Sequence, residues 1–447
     1  MANRRRLAVL ATVVSVSLLA AACSDDKKDS DNSTVTTDGS TDGSTVTTGD
    51  KPFDGKVVTI FSSIRDVEAD RLETAWAPFE EATGIDIQHE GSATFEDDLK
   101  VRVEGGNAPD LAFVPQPGLL KTLVDSGQVV ALADLEADVA ANDLAGWVEI
   151  GSVDGTFYAP PFGTNIKSLV WYSPAVFAEA GYEIPTTWQE LLDLSDQIVA
   201  DGGKPWCVGV ESGGATGWTL TDWVEDFVLR DAGADVYDQW VAHEIPFNDP
   251  KIVAAIDKVG DIVKNEDYVL NGVQSIPSTS FQEAGLPLLD GECFMHRQAN
   301  FYGNQFPEET TKGPDGEINA FYLPTIEASD PKVMLGGGEV ITAFSDKPEV
   351  AAVAKYLTSA EYADSRLALG NWLTPNTQAD ISLITDPLEM IFAELLVSSD
   401  VFRFDGSDMM PSAVGAGTFW SDMVEWVVGN MTTQEAADSI EASWPKS

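Results

Sequence analysis

The pattern of apolar and polar positions predicts strands that alternate with amphipathic helices. KVVTIFSS, at positions 56–63, is a short apolar run typical of a buried strand. The next segment, RLETAWAPFEEATG, places four apolar residues on one helical face and ends at Gly84: Leu72, Ala75, Trp76 and Phe79. A strand-like IDIQHEG follows, and GLLKTLVDSG repeats the helical pattern up to Gly127. The first part of the body therefore predicts βαβ units in an α/β fold.

Three later segments begin with the sequence of a capping box, in which a Ser, Thr or Asp is followed three residues later by Glu. The pairs are Thr187 with Glu190, Asp346 with Glu349, and Thr432 with Glu435. Each pair precedes apolar residues at helical spacing, so each predicts the start of a helix.

The first residues are typical of a bacterial export signal. Three arginines at positions 4–6 precede the apolar run LAVLATVVSVSLLAAA, and no acidic residue occurs before Asp25. The run is shorter than the roughly 20 apolar residues that a transmembrane helix needs. We therefore predict a cleaved signal peptide over residues 1–22.

The segment LLAAAC, ending at Cys23, is similar to the lipobox of bacterial lipoproteins, although Ala20 stands where leucine is usual. A plain signal peptide followed by an incidental cysteine is the alternative. Residues 23–53 contain few apolar side chains and repeat STVTT, so they cannot bury enough surface to offset the entropy of ordering. We expect a lipidated Cys23 and a disordered tether that holds the body at the extracellular face of the cell membrane.

Composition restricts the partners of this chain. It is 44% apolar with 12 tryptophans, enough to build cores, and its 73 acidic against 26 basic residues give a formal net charge of −47. Such a negative surface repels nucleic acid and anionic lipid. We expect no nucleic-acid partner, and membrane contact only through the lipid anchor. The acidity does not identify the ligand or tell whether the habitat is saline.

Two cysteines remain in the predicted mature body, Cys207 and Cys293. An exported chain works in an oxidising compartment, where cysteines commonly pair. We expect a disulfide between them. Two buried free thiols, or one reactive thiol, are the alternatives.

The sequence offers little catalytic machinery. Its three histidines, His89, His243 and His296, are scattered and lack HExxH or Cys/His metal spacing. No GxSxG elbow, Walker loop or GxGxxG after a strand occurs. Carboxylate pairs are uninformative, because among 73 acidic residues some lie close together by chance. We expect no metal, no cofactor and no catalysis.

Several stretches carry a family resemblance through their joint order and spacing. They are EEATGIDIQHEG, GGNAPDLAFVPQPGLLKTLVDSGQVVALADL, VDGTFYAPPFGTNIKSLVWYSPAVFAEAGYEIPTTWQELLDLSDQIVADG and GGGEVITAFSDKPEVAAVAKYLTSAEY. They resemble the extracellular solute-binding proteins (family 1) of carbohydrate ABC transporters, of the maltose and α-glucoside-binding type. The resemblance covers the body from about residue 54 to the end.

This resemblance implies an α/β, two-lobed periplasmic-binding-protein-like fold with a hinge and an interlobe ligand cleft. Each lobe would combine separate parts of the chain: 54–163 with 325–372 in lobe 1, and 164–324 with 373–447 in lobe 2. The resemblance also implies a monomer that presents its ligand to the transmembrane permease subunits of an ABC transporter, because closure of a hinge couples ligand binding to recognition by a partner.

The chain would pass between the lobes near residues 162–165, near 324–332, and again after Trp372. These passages are where the resemblance places the hinge.

The tryptophan-rich segment KPWCVGVESGGATGWTLTDWVEDF suggests how a sugar would be held. A sugar ring has a face of C–H groups and a rim of hydroxyls, so its site needs flat apolar side chains and planar polar groups. We expect Trp218, Trp223 and Trp372 to stack on the ligand, with Asp222 forming hydrogen bonds to hydroxyls. For Trp223 a buried helix face is the alternative, and Trp206 is assigned to packing.

Further candidates come from the ends of predicted strands, which would face the cleft. They are Arg65, Asp66, Gln116, Asn165, Asn300 and Gly338. For each of them a solvated loop position is the alternative.

Together these observations predict the substrate-binding component of an ABC importer, which captures an α-glucoside or other oligosaccharide outside the cell and delivers it to the permease. An exported carbohydrate-cleaving enzyme is one alternative, and a receptor of the same fold for a non-sugar solute such as a polyamine is another. Fold alone does not choose a ligand. The sequence does not determine which sugar binds, its chain length and linkage, or which permease receives it.

Overall fold

The computed structural model describes residues 51–446. The predicted signal peptide, the predicted lipidation site Cys23 and the tether up to residue 50 lie outside the described residues. Residues 51–53, assigned to the tether from the sequence, belong to the folded body, because the backbone N–H of Phe53 donates to the Thr83 carbonyl at 2.9 Å. Within residues 51–446, no helix combines the length and the apolar character needed to cross a bilayer.

Strands and helices alternate from β1 to α3, and after that they occur in runs of several strands or several helices. The strands are β1 (Lys56–Ser62), β2 (Ile85–Gly91), β3 (Leu111–Val114), β4 (Ser152–Val153), β5 (Thr156–Phe157), β6 (Asn165–Ile166), β7 (Leu169–Tyr172), β8 (His296–Arg297), β9 (Asn319–Tyr322), β10 (Val333–Gly337), β11 (Val340–Ala343) and β12 (Val401–Phe404).

The helices outnumber the strands and are likewise numbered along the chain. They are α1 (Asp66–Thr83), α2 (Phe95–Glu104), α3 (Pro117–Asp125), α4 (Glu136–Asn142), α5 (Trp147–Ile150), α6 (Pro174–Ala180), α7 (Trp188–Ala200), α8 (Trp218–Asp231), α9 (Ala234–Val241), α10 (Pro250–Val263), α11 (Pro348–Leu357), α12 (Ala360–Leu367), α13 (Pro387–Ser398), α14 (Gly406–Met409), α15 (Trp420–Val427) and α16 (Thr433–Ala442). A short π-helix, Val414–Phe419, leads directly into α15.

The largest sheet contains the predicted βαβ units. Its strand order is β11-β3-β1-β2, with β1 parallel to both β2 and β3. Strand β11 comes from much later in the chain and pairs antiparallel with β3, which places Ile341 opposite Phe113. Two three-stranded sheets, β12-β10-β6 and β8-β7-β9, and the β4-β5 hairpin complete the architecture.

The predictions for the first elements are confirmed. β1 covers the apolar run at 56–62, and α1 buries Leu72, Ala75 and Trp76. Helix α1 ends at Gly84, whose φ of +81° is readily available only to glycine among the common residues. α3 ends at Asp125, two residues before Gly127.

Two of the three predicted capping boxes are present, at Thr187 of α7 and Thr432 of α16. The third prediction is wrong, because α11 begins at Pro348 and its N-cap is Lys347 rather than Asp346. Proline is favoured at the first helical position, where its missing N–H would have no intrahelical partner. This moves the cap to the residue directly before the proline.

Two large apolar cores dominate the interior. The first core is built from β1, α1, β2, α2, β3, α3, β11, α11 and α12, and the second from β7, α7, α8, α9, α10, α15 and α16. A smaller third cluster surrounds Trp171, Tyr302 and Phe392. The buried disulfide between Cys207 and Cys293 lies in this third cluster, with Cα atoms 5.7 Å apart, and confirms the predicted pairing.

The sequence predicted that the chain returns from the second core to the first near residues 324–332. In the structure it returns later, at Gly337–Glu339. Val333 and Leu335 of β10 belong to the second core, whereas Val340 and Ile341 of β11 belong to the first. The reason is that β10 is paired on both sides, with β6 and β12, before the chain changes sheets. The other predicted lobe boundaries stay predictions.

The other passages run beside this return. The backbone N–H of Phe162 donates to the Glu339 carbonyl at 2.8 Å, and Thr164 bridges to Leu373. Gly338 has a φ of +154°, and a Cβ there would overlap the Gly163 carbonyl oxygen. These three segments are therefore packed together, with no room for a side chain where Gly338 meets Gly163.

Candidate functional site

A cavity of about 190 Å³ is lined by segments that belong to both cores. This is many times the roughly 10–15 Å³ that one water molecule needs. From the first core come the start of α1, the loop before α2 and the end of β3. From the second come the loop before α8 and the start of α15. The return at Gly338 and Glu339 also lines it.

The cavity brings together seven of the predicted site residues: Arg65, Asp66, Gln116, Asn165, Trp218, Gly338 and Trp372. They come from the N-terminal end of α1, the N-cap position of α3 just beyond β3, strand β6, the N-terminal end of α8, and the two later passages. Asp66 opens α1 with a φ of +55°, a conformation that is uncommon for a non-glycine residue. Five of the six candidates from the ends of predicted strands therefore meet in one place, all except Asn300.

Three predicted residues do not line the cavity. Asp222 is fully buried behind it, Trp223 packs edge-on against Trp206 at 5.2 Å, and the Asn300 side chain accepts a hydrogen bond from the Ile166 backbone at 2.8 Å. Every residue of α8 from 219 to 230 is buried. Only Trp218, at the helix start, reaches the cavity, and the others support its wall.

The aromatic wall contains rings that the sequence did not single out. Trp218 contacts Phe281 at 5.2 Å and Phe301 at 6.1 Å between ring centroids, and both phenylalanines line the cavity with Trp420. These three rings come from loops and from a helix start far apart in the sequence. The local signal that could have found them is a phenylalanine next to a polar amide, as in Phe281 followed by Gln282.

A glycine allows the backbone before Trp218 to approach the backbone of Trp420, two of the three tryptophans that line the cavity. Gly217 precedes α8 with a φ of +111°, and a Cβ there would overlap the Trp420 carbonyl oxygen and lie 2.9 Å from its carbonyl carbon. The π-helix Val414–Phe419 ends directly before Trp420. The start of α8 and the start of α15 are therefore packed backbone to backbone, which sets the position of Trp218 relative to Trp420.

The neighbouring glycines form a contact between segments of the two cores. A Cβ on Gly213 would lie 2.9 Å from the Ala93 carbonyl oxygen, and one on Gly214 would lie 3.2 Å from Asp97 Oδ2. Ser212 and Ala93 both line the cavity. The loop before α8 thus closes against the N-terminal end of α2, and only small residues fit at this contact.

A buried lysine lies beneath the aromatic wall. Lys167 Nζ lies 3.0 Å from Asp222 Oδ1, 2.5 Å from Asp405 Oδ2 and 5.3 Å from the centroid of the Trp218 ring. Burial by itself disfavours the charged ammonium, but the surrounding carboxylates outweigh it and raise the pKa of Lys167. Asp222, Glu225 and Asp405 have carboxylate oxygens within 4.8 Å of one another, and the Lys167 ammonium is bound to two of these three side chains.

Carboxyl groups outnumber cationic groups in the cavity wall. Six carboxyls line it, against the two cations Arg65 and Lys167: Asp66, Glu68, Glu96, Glu339, Asp405 and Asp408. Burial raises the pKa of Glu339 to about 7, with a further contribution from the nearby Glu68. Burial also raises the pKa of Glu96 and of Asp408. These buried carboxyls therefore keep their protons to a higher pH than exposed carboxyls do, and a protonated one can donate a hydrogen bond.

Four side chains of the wall carry buried polar atoms that lack a partner within residues 51–446. They are Arg65 Nε, Gln116 Oε1, Trp372 Nε1 and Trp420 Nε1. Buried polar groups in proteins are nearly always hydrogen-bonded to protein, water or ligand. Three of these atoms are N–H donors and one, Gln116 Oε1, is an acceptor. Sugar hydroxyls can pair with both kinds, because a hydroxyl both donates and accepts hydrogen bonds.

Comparison with known proteins gives a consistent result. The model of the family described as bacterial extracellular solute-binding protein matches residues 66–364. The osmoprotective compounds-binding protein GgtB of Synechocystis sp. is 42% identical over 398 residues, which cover 88% of this chain and 93% of that protein. The alpha-glucosides-binding periplasmic protein AglE of Rhizobium meliloti is 35% identical over 402 residues, covering 87% of each chain.

A solved structure from work on xylan utilization by the thermophilic bacterium Caldanaerobius polysaccharolyticus superimposes with a TM-score of 0.74. It is 19% identical and covers 86% of this chain and 99% of that one. At this identity the likeness shows the fold, which is the two-lobed α/β architecture predicted from the sequence.

Proposed function

Because the chain belongs to the family of bacterial extracellular solute-binding proteins, we propose that it captures a carbohydrate for an ABC importer, and that the ligand is an α-glucoside or a related short oligosaccharide. The curated relative AglE, which shares 35% identity over most of both chains, is an alpha-glucosides-binding protein. The ligand would be held in the cavity between the two cores and passed to transmembrane permease subunits.

The observation that carries this proposal is the composition of the cavity wall. Flat aromatic rings at Trp218, Phe281 and Phe301 line the same cavity as polar side chains at Gln116 and Asn165. Rings of this kind cover the C–H face of a sugar, and amides bond its hydroxyls in pairs. Burial of one large aromatic side chain contributes about 1.5–3 kcal/mol, a substantial share of the roughly 8 kcal/mol of a micromolar complex.

We further propose that the mature protein is a monomeric lipoprotein on the extracellular face of the membrane. The supporting features are the arginine-led apolar run at 1–22 and the LLAAAC segment that ends at Cys23. Globomycin, which blocks lipoprotein signal cleavage, should cause the unprocessed chain to accumulate in expressing cells. A Cys23→Ser chain should escape into the medium. If Cys23→Ser remained membrane-bound in the same amount, the lipid anchor would be excluded.

Tryptophan fluorescence and calorimetric titration of the full chain with maltose, trehalose and raffinose test the ligand class. We expect saturable binding of at least one sugar with a raised melting temperature, because a ligand that binds only the folded state stabilises it. Trp218→Ala should weaken that binding about 10–100-fold, in line with the loss of one aromatic platform. Trp444→Ala is the matched control, because Trp444 is also half-buried but stacks on His243, with ring centroids 4.0 Å apart.

The same titration separates the alternatives. Appearance of shorter sugars after prolonged incubation with an oligosaccharide would indicate a carbohydrate-cleaving enzyme and contradict a purely binding role. Saturable binding of spermidine with no response to any sugar would indicate a receptor for a non-sugar solute. If Trp218→Ala bound the sugar as tightly as the wild-type chain, the aromatic wall would not be the binding surface.

A further inference from the structure

The charge of the cavity wall is unbalanced, and the imbalance extends behind the wall. Of the two lining cations, Lys167 is already bound to Asp222 and Asp405. Asp226, in the layer behind, pairs with Arg230 and Arg297. The cations near the cavity are thus largely paired with carboxylates already, with Asp405 in the wall itself and with Asp222 and Asp226 behind it.

We propose that this cavity selects its ligand by charge, accepting neutral and cationic saccharides and rejecting saccharides that carry a carboxylate or a phosphate. The inference rests on the proposed function and narrows its substrate class. An anionic ligand would lie among Asp66, Glu68 and Glu339 with Arg65 as the one lining cation not already paired with a carboxylate of the described chain.

Selection of the ligand by charge should also change the number of protons that are bound or released when the ligand binds. Carboxyl groups whose pKa lies near 7, such as Glu339, can gain or lose a proton on binding. A cationic ligand favours the ionised carboxylate, so its binding should release protons. An anionic ligand favours the neutral acid, so any binding should take protons up. A neutral sugar should cause the smallest proton exchange of the three.

The expected difference in affinity between a neutral and an anionic sugar follows from Coulomb repulsion between the ligand's negative charge and a carboxylate of the wall. Two unit charges about 6 Å apart, at an effective dielectric constant of about 20, repel strongly enough to weaken binding about 100-fold. Salt screens such buried pairs only weakly. The neutral and the anionic form of one sugar should therefore differ by about 100-fold in dissociation constant, and the difference should persist at physiological ionic strength.

A charge series on one scaffold tests the proposal with the full chain. The probes are trehalose, the analogue with one CH₂OH replaced by CH₂NH₃⁺, and the analogue with one CH₂OH oxidised to a carboxylate, each prepared also from maltose. Calorimetric titration at pH 7, where a carboxyl with a pKa near 7 is half protonated, in two buffers of different ionisation enthalpy gives both affinity and proton exchange. We expect the carboxylate to bind about 100-fold more weakly than the neutral sugar, and the ammonium analogue to bind at least as tightly with proton release.

The outcomes separate this inference from the proposed function. If the carboxylate bound within about threefold of the neutral sugar, charge selection would be wrong while sugar binding stood. If only the ammonium analogues bound, sugar capture would be wrong and charge selection would stand. Binding of the carboxylates alone, or of none of the probes, would reject both.

Two variants test whether the carboxyls that line the cavity cause the discrimination against anionic sugars. Glu339→Gln removes one lining carboxyl and should reduce the neutral-to-anionic affinity ratio about tenfold. Glu136→Gln removes an exposed carboxyl on α4, which does not line the cavity, and should leave the ratio unchanged. Should Glu339→Gln fail to fold, Glu96→Gln serves instead, since its amide can still accept the hydrogen bond from Gln116 Nε2. An unchanged ratio in the lining variant would contradict the proposal.

Discussion

Replacing Gly217 by alanine tests whether one backbone contact positions the aromatic wall. Two costs follow from the structure. An alanine with a φ of +111° lies in the left-handed region, which costs about 1–2 kcal/mol for a residue with a Cβ. The new methyl would also overlap the Trp420 carbonyl, and relief of such overpacking typically costs about 1–3 kcal/mol. We expect the free energy of unfolding to fall by about 2–5 kcal/mol.

Gly202→Ala is the matched control. Gly202 also has a positive φ, of +92°, but no atom of the described chain lies within 4 Å of the position that its Cβ would take. This variant should carry only the backbone cost, about 1–2 kcal/mol. The difference between the two variants therefore isolates the contact with Trp420.

The measurements are urea denaturation followed by far-ultraviolet circular dichroism, and calorimetric titration with the sugar that binds the wild-type chain. Gly217→Ala should lose at least about tenfold in affinity, because the shift separates Trp218 from Trp420, whereas Gly202→Ala should bind normally. The reasoning is refuted if the two variants are equally stable, or if Gly217→Ala binds as tightly as the wild-type chain.

Three further results are expected. Lys167→Met should lower the free energy of unfolding by about 3–5 kcal/mol, since it leaves buried carboxylates without their cation, and a second change, Asp405→Asn, should recover part of the loss. Conversion of Cys207 and Cys293 to serine opens a loop with a sequence separation of 86 and should cost about 4–5 kcal/mol in the chain-entropy model; equal melting temperatures of the variant and the wild type would contradict this. Burial raises the pKa of Glu389 from 4.5 to about 7, so the folded state holds a proton that the unfolded state releases, and stability falls as the pH rises from about 4.5 to 7. Glu389→Gln should remove up to about 3 kcal/mol of that fall, as measured by urea denaturation at pH 5 and pH 8.

Local signals in the sequence predicted several elements of the fold. The spacing of Leu72, Ala75 and Trp76 gave the buried face of α1, and Gly84 gave its end, because helical periodicity and a left-handed cap are properties of a short segment. Where the local signal was ambiguous, the prediction failed. Asp346 has the sequence of a cap, but Pro348 takes the first helical position and moves the start of α11.

The predicted site residues likewise include some that the structure places at the cavity and some that it places elsewhere. Gln116 was predicted because it follows a strand, and parallel strands such as β1 and β3 end at a common edge. Asn165 was predicted because the family resemblance places the first passage between the lobes there. Asp222 and Trp223 were misplaced because periodicity shows which residues share a face of α8 but not what that face meets, and here nearly the whole helix is enclosed.

The sequence by itself therefore determined the family and several of the α/β elements, since each depends on local spacing or on the order of motifs, and it predicted a disulfide that the structure confirmed by bringing the two cysteines together. Only the tertiary structure decided which rings form the aromatic wall, because Phe281, Phe301 and Trp420 meet through contacts between distant segments. It also decided the charge balance of the cavity. A carboxylate's pKa and its partners depend on burial and on neighbours in space, which no local pattern specifies.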